Sequence, residues 1–298
     1  MKVGLISPYD LAVPGGVQDQ VIRLARWMRE AGHEARVIGP GTCDDPGFIS
    51  VGSATVIPIN GSTARVALSR EASRRVVAAM SQFDVIHVHE PLAPQVSLSA
   101  LRRGDMPMVG TFHADTAPWT AKAYRMGRTL TSRWFKNLDV ITAVSPIAAR
   151  VVDYTGRVRI IPNGIDVDDY TPAGEKDPGA VVFLGRNDER KGLPVLLEAW
   201  SRITSAHPEA TLTVVGAEDM GERISGVTFA GRVSEEEKRD HLKRSSIYCA
   251  PNLSGESFGI VVAEGMAAGC AIVASGLPAF VRVAGIRHGS LRPEMPAV

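Results

Sequence analysis

The residues best suited to chemistry lie late in the chain, in GESFGIVVAEGMAAG, where Glu256 and Glu264 stand eight positions apart. Ser257, Phe258 and Gly259 between them read as the start of a helix, so the carboxylates would be separated by roughly 12 Å at 1.5 Å per helical residue, less where the loop shortens the path. Unpaired amides at a helix N-terminus attract anions. Amides between two carboxylates suit a nucleotide sugar, with the diphosphate on the amides, one carboxylate on sugar hydroxyls and the other on the ribose. Glu264 lies among Val261, Val262, Ala263 and Met266, where an ionised carboxylate requires a partner.

A second element of this kind is FLGRNDERKG, in which Arg186 and Lys191 flank a loop. Arginine supplies a bidentate fork and lysine a point charge, the usual pair for a diphosphate. Taken alone, basic loop residues are more often solvated, so the pairing with the Glu256 segment carries the weight. Near the start, Pro14, Gly15 and Gly16 separate a strand pattern from a helix pattern, and amides there can approach an anion with no Cβ in the way. A plain turn explains those glycines equally well, and the absence of G-x-G-x-x-G gives no sign of a dinucleotide. His113 ends a strand in GTFHADT, and His87 and His89 in HVHE share one strand face. No third ligand at fixed spacing accompanies the latter pair, so a metal site is not implied.

APWTAKAYRMGRTLTSRWFKNL, residues 117–138, holds five basic residues and no acid. Trp119, Ala123, Met126, Leu130 and Trp134 recur at helical spacing while Lys122, Arg125, Arg133 and Lys136 lie largely elsewhere, a basic amphipathic pattern suited to an anionic lipid surface. At about 1 kcal/mol per basic residue, such a helix docks reversibly. A core helix with a solvated basic face has the same pattern.

These residues need a scaffold, and the chain encodes one. At 298 residues it is long enough for about two domains. Hydrophobic residues make up 45% and charged residues 22%, which excludes a disordered chain. Thirty-three Lys and Arg against 32 Asp and Glu leave a net charge of +1, which argues against a nucleic-acid partner. Cys43, Cys249 and Cys270 are scattered and odd in number, as free thiols of a reducing cytoplasm are, and KVGLIS reads as a first strand rather than a signal peptide. VGLIS, VQDQVIRLARWMREAG and EARVIGP form a strand–helix–strand unit with Val21, Leu24, Ala25 and Met28 on one helical face. FDVIHVHE, PMVGTFH, DVITAVS and VRIIPNG continue the buried strands of a parallel sheet. After the polar stretch 168–180 the alternation resumes with AVVFLGR, TLTVVGA, VTFAGRV, SIYCAPN and CAIVASG. The expected fold is α/β, with two Rossmann-like doubly wound domains over 1–170 and 171–298. Past CAIVASG neither periodicity continues through GIRHGSLRPEMPAV, so the second domain is expected to be truncated, without closing helices.

SPYDLAVPGGVQ, PINGSTAR, FDVIHVHEPLAP, GTFHADT, IPNGID, FLGRNDERKG and APNLSGESFGIVVAEGMAAG together resemble the retaining GT-B glycosyltransferases of family 4 over residues 1–284. Within that family the likeness is greatest to the actinobacterial transferases that act on phosphatidylinositol. The resemblance implies a GDP-mannose donor held by Gly15, Gly16, Arg186, Lys191, Phe258, Gly259 and Ile260. It further implies Glu256 on the mannose, Glu264 on the ribose and His113 in the active site, with Arg186 and Lys191 stabilising the leaving GDP. Tyr9, Asn60, Ser62 and Arg65 fall where such enzymes hold the inositol phosphate. The sequence departs from the pattern at Ile59, where the family has an aromatic residue, and in a basic cluster reduced to Arg74 and Arg75.

The implied protein is a mannosyltransferase at the inner face of the membrane, cytoplasmic and peripheral, without a bound cofactor or divalent metal. A family 4 enzyme with another nucleotide sugar or acceptor, and a truncated remnant that binds without turnover, are the alternatives.

Overall fold

The computed structural model describes residues 1–59, 62–114, 128–150, 152, 157–172, 174–219, 221 and 224–285. The chain forms two compact units, Met1–Gly164 and Ile165–Val298.

In the first unit, β1 (Lys2–Ile6), β2 (Glu34–Gly39) and β3 (Ile49–Ser50) lie on one side of the sheet. On the other lie β6 (Val85–His89), β7 (Met108–Phe112), β8 (Val140–Ala143) and β9 (Val158–Ile160). The strands pair in the order β3-β2-β1-β6-β7-β8-β9, all in parallel. Helix α1 (Gly16–Glu30) packs Val21 and Ala25 against Val3, Leu5 and Val37, with Leu24 and Met28 partly covered beside them. Arg23, which the apolar periodicity leaves out, is also buried. Further along, Gln20 Nε2 donates to Gly164 O at 2.7 Å, and the Trp27 ring lies so close to Gly164 that a Cβ there would meet it at 2.8 Å. Helices α2 (Arg70–Met80), α3 (Val96–Arg103), α4 (Arg128–Phe135) and α5 (Pro146–Ala149) complete the described helices of this unit. Between β3 and α2 an antiparallel hairpin, β4 (Thr55–Ile59) and β5 (Ser62–Val66), stands apart from the main sheet.

The second unit repeats the plan. β10 (Asp177–Leu184), β11 (Thr211–Val215), β12 (Val227–Gly231), β13 (Ser245–Ala250) and β14 (Ala271–Ala274) pair in parallel in the order β12-β11-β10-β13-β14. Alternation along β10 shows why the strand is apolar throughout. Val181 and Phe183 pack with Leu193, Leu196 and Trp200 of α6 (Leu193–Ala206), while Val182 and Leu184 pack into the opposite cluster with Tyr248, Val262 and Phe280. Helix α7 (Glu235–Arg244) opens on a capping box, in which Ser234 and Glu237 satisfy each other's backbone amides. Helices α8 (Ile260–Ala267) and α9 (Pro278–Val283) follow. The last corrects the expectation that no helix comes after CAIVASG, because Phe280 and Ala279 on one short face suffice to bury it. Residues 286–298 lie outside the described residues.

Tyr170, assigned to the first domain by the sequence pattern, is fully buried in the core of the second unit. It ends a 3-10 helix, Val167–Tyr170, and β10 begins within the stretch that reads as linker. Among the described residues, no helix is long and apolar enough to cross a membrane.

Candidate active site

In each unit the strand order reverses at one point, between β1 and β6 in the first and between β10 and β13 in the second. Loops leaving the carboxyl ends of such a strand pair diverge and open a crevice. Tyr9, Gly15, Arg186, Lys191 and Glu256 fall on those loops, while Ser62 and Arg65 lie on the hairpin strand β5, His113 follows β7 and Glu264 lies within α8.

In the first unit the loop after β1 carries Tyr9, Asp10, Gly15 and Gly16. Gly15 caps α1 in an extended conformation, and a Cβ on Gly16 would meet nothing within 4 Å. No packing among the described residues therefore requires glycine at 16. The same loop joins the hairpin: Tyr9 bridges Val66, the Asp10 amide donates to Arg65 O at 2.9 Å, and the Arg65 guanidinium lies 3.7 Å from the buried Asp10 carboxylate. Tyr9 and Arg65 are thus brought together, with Ser62 at the start of the same strand β5. Asn60 lies outside the described residues.

Across the reversal, β6 and β7 deliver His87, His89, Glu90 and His113. His87 stacks on His89 at 4.2 Å between ring centroids, and His89 on His113 at 5.1 Å. His89 Nδ1 and His113 Nε2 share a hydrogen bond at 2.8 Å. Burial lowers the His87 pKa to about 4 and, with His87 adding repulsion, that of His113 to about 3. Burial and then His87 and His113 push His89 well below the ordinary range. Glu90 holds a left-handed backbone, φ 47°, and its Oε1 accepts from the amides of His113 and Ala114, each at 2.7 Å. Burial raises the Glu90 pKa to about 7, with those two amides opposing the rise. His113 is marked in the sequence by its place in GTFHADT, whereas Glu90 carries no signal beyond its place directly after HVH.

In the second unit the loop after β10 carries Arg186 and Lys191, and the loop after β13 carries Glu256. Lys191 Nζ donates to Glu256 Oε2 at 3.0 Å, and Asn252 Nδ2 donates to the same oxygen at 3.1 Å. Two motifs 65 residues apart are thereby joined in one structure. Arg186 is exposed. Arg190, unnoticed in the sequence, makes a bidentate pair with Asp188, whose hydrogen bonds raise the arginine pKa and lower that of the carboxyl. Its backbone carbonyl accepts from Leu253 at 2.8 Å, a second tie between the loops. Gly259 takes φ 91° at the N-cap of α8, so Ile260 begins a helix whose first amides lie beside Phe258 and Gly259.

Glu264 is buried, as its apolar neighbours predict, but the partner is within the protein. Its Oε1 accepts from Tyr170 Oη at 2.8 Å and from Lys238 Nζ at 3.1 Å. Burial works against the Lys238 charge, yet Glu264 and Glu235 outweigh it and raise the lysine pKa. The need of a buried carboxylate for a partner is met here without a ribose.

Of the basic segment 117–138, residues 115–127 lie outside the described residues. In its remainder, α4 and the following turn bury Thr131, Phe135 and Leu138, and Phe135 meets Phe112 edge to face. Trp134 is half-buried beneath Arg102, whose guanidinium lies 5.8 Å from the ring centroid. Arg133 and Lys136 are exposed.

Residues 14–169 match Glycosyltransferase Family 4, and residues 178–295 match Glycosyl transferases group 1. The phosphatidyl-myo-inositol mannosyltransferase of Mycolicibacterium smegmatis is 38% identical over 303 residues, 95% of this chain and 78% of that protein. The protein of the same name from Mycobacterium tuberculosis H37Rv is 38% identical over 316 residues, 99% of this chain and 82% of its own length. Among solved structures, Anabaena Alr3699/HepE in complex with UDP and glucose has a TM-score of 0.70 at 17% identity, covering 95% of this chain and 82% of that one. Sucrose-phosphate synthase from Thermosynechococcus elongatus has a TM-score of 0.66 at 21% identity, over 93% and 81%. These likenesses support the two Rossmann-like units as a GT-B fold. With both halves matched and relatives at 38% identity along nearly its full length, the chain belongs to glycosyltransferase family 4.

Proposed function

We propose that the chain transfers mannose from GDP-mannose to the inositol ring of phosphatidylinositol, with retention of anomeric configuration, at the inner face of a membrane. The observation that carries the reading is the convergence of Lys191 and Glu256, 3.0 Å apart, on the two loops that diverge at the strand reversal of the second unit. The names of the relatives support mannose and phosphatidylinositol; the base of the donor is inferred from the family resemblance.

In this reading Arg186 and Lys191 neutralise the charge that grows on GDP as the bond between the anomeric carbon and the diphosphate oxygen breaks. The Gly15–Gly16 loop and the amides at Phe258, Gly259 and Ile260 hold the diphosphate. Glu256, fixed by Lys191 and Asn252, accepts from mannose hydroxyls. The inositol oxygen attacks on the face the diphosphate leaves, and its proton passes to a diphosphate oxygen, so no protein nucleophile is consumed. His113 orients the sugar, while Tyr9, Ser62, Arg65 and Asn60 orient the inositol phosphate. Glu264 supports the ribose side.

Radiolabelled GDP-mannose incubated with phosphatidylinositol vesicles tests the proposal. Label is expected in the lipid fraction, and it is expected to vanish in Arg186→Ala with the circular dichroism spectrum unchanged. Absence of labelled lipid, labelling from UDP-sugars instead, or near-normal turnover by Arg186→Ala rejects the corresponding part of the reading.

A further inference from the structure

His113, placed beside the sugar above, ends a chain of histidines whose other members, His87 and His89 of β6, have no role in that reading. His87 Nε2 is bonded to Thr111 Oγ1 at 2.6 Å, and Thr111 Oγ1 to Thr142 Oγ1 at 2.6 Å, which anchors the first ring across three strands. His89 stacks on it and reaches His113 through one hydrogen bond. Both His89 and His113 are buried, 2% and 7% exposed, and neutral. Two neutral imidazoles joined by one hydrogen bond have coupled tautomers. If the proton sits on His89 Nδ1, His113 Nε2 is the acceptor and the other His113 proton is on Nδ1. If it sits on His113 Nε2, then His113 Nδ1 is a bare acceptor and His89 carries its proton on Nε2.

The two nitrogens left over, His89 Nε2 and His113 Nδ1, are both buried and have no hydrogen-bond partner among the described residues. Each tautomer pair thus leaves one unpaired donor and one unpaired acceptor in the ligand-free protein. A sugar hydroxyl beside His113 breaks the tie, because it satisfies Nδ1 in either form and leaves only His89 Nε2 unpaired. A buried unpaired N–H is rarer and costlier than an under-used acceptor. The state with a bare His89 Nε2 then prevails, and it places the proton of His113 on Nδ1.

We propose that His89 is a positioning residue that fixes the proton of His113, so that His113 meets the transferred sugar as a hydrogen-bond donor at Nδ1. The inference rests on the reading of His113 as the histidine beside the sugar. It makes the register of β6 against β7, in which His89 pairs with Thr111 two residues before His113, part of the catalytic arrangement.

The test compares His89→Leu with His89→Asn in the full chain, using GDP-mannose and phosphatidylinositol vesicles. It adds nitrogen spectra of histidine-labelled protein with GDP-mannose and no acceptor lipid. Asparagine places an amide where His89 Nδ1 stands and can donate to His113; leucine cannot. His89→Leu is expected to lower kcat by about 10- to 100-fold with KM for GDP-mannose within about twofold, and His89→Asn to recover most of that loss. The wild-type and Asn spectra are expected to show a protonated His113 Nδ1, and the Leu spectrum a mixture of tautomers. Wild-type turnover by His89→Leu, a His113 proton on Nε2 in the wild-type complex, or equal losses in both variants with the tautomer unchanged would overturn the proposal. If His113→Ala itself transfers normally, the underlying site reading fails. If His113→Ala is slow while His89→Leu is normal, only this inference fails.

Discussion

Gly16 and Gly259 are both candidates for holding the diphosphate, and the chain treats them differently. Around Gly16 there is open space and no left-handed backbone, so the protein alone tolerates a methyl group there. Gly16→Ala is expected to leave the melting temperature within about a degree and to lower kcat/KM for GDP-mannose by about tenfold or more, because in the proposed arrangement the methyl group occupies the space of the diphosphate. Gly259 holds φ 91°, and an added Cβ would meet the Phe280 ring at 2.9 Å. Gly259→Ala is expected to destabilise the chain by about 1–3 kcal/mol, read from the urea midpoint, before any effect on turnover is considered. Similar stability in the two variants would contradict this distinction.

Strands β6 and β7 bring a titration signature with them. The unfolded chain protonates His87, His89 and His113 near 6.5, whereas the folded chain resists, with His87 at about 4 and His113 at about 3. Their stabilisation is complete above about pH 6.5 and is lost as the pH falls through the folded values. Glu90 acts in the opposite sense, its contribution present below about 4.5 and lost as the pH rises towards 7. Three histidines outweigh one carboxyl, so the melting temperature is expected to fall from pH 6.5 to pH 4, more steeply below about 4.5 where Glu90 no longer compensates. His87→Gln, which keeps an amide for Thr111, is expected to flatten the slope; an unchanged slope would remove His87 from the account. Helices α7 and α8 depend on charge in another way, through Lys238 and the buried Glu264. Lys238→Met is expected to cost about 3–5 kcal/mol by removing the positive charge beside that buried carboxylate while its Tyr170 hydrogen bond remains, visible as a lower urea midpoint. The strands themselves were legible because a sheet buried on both faces needs continuous apolar runs, as Val181 to Leu184 illustrate. The β4–β5 hairpin was not, since Pro58 and the polar run after it mimic a loop and a two-stranded edge tolerates proline. Nor could spacing reveal that Tyr170 and Lys238 answer Glu264, or that His89 reaches His113, because those contacts arise from strand order and helix packing and leave no local pattern. Lys191 and Glu256 are each marked by residue type, but only the fold brings them together.

For the molecule as a whole, a net charge of +1 supplies no general attraction to anionic lipid, so the proposed membrane contact would rest on local basic residues such as the exposed Arg133 and Lys136. Ligand linkage offers the broadest check on the donor site: GDP at 100 times its dissociation constant is expected to add about 2.7 kcal/mol of stability to the intact chain. Arg186→Ala is expected to abolish that gain and His113→Ala, which touches no part of GDP in the proposed arrangement, to retain it. Helix α1 begins at the glycine turn and holds Gly164, the last residue of the first unit, through Gln20 one turn later and Trp27 about three turns along. Held in this way, α1 cannot slide along its axis unless the Gln20 bond breaks and the Trp27 ring leaves Gly164.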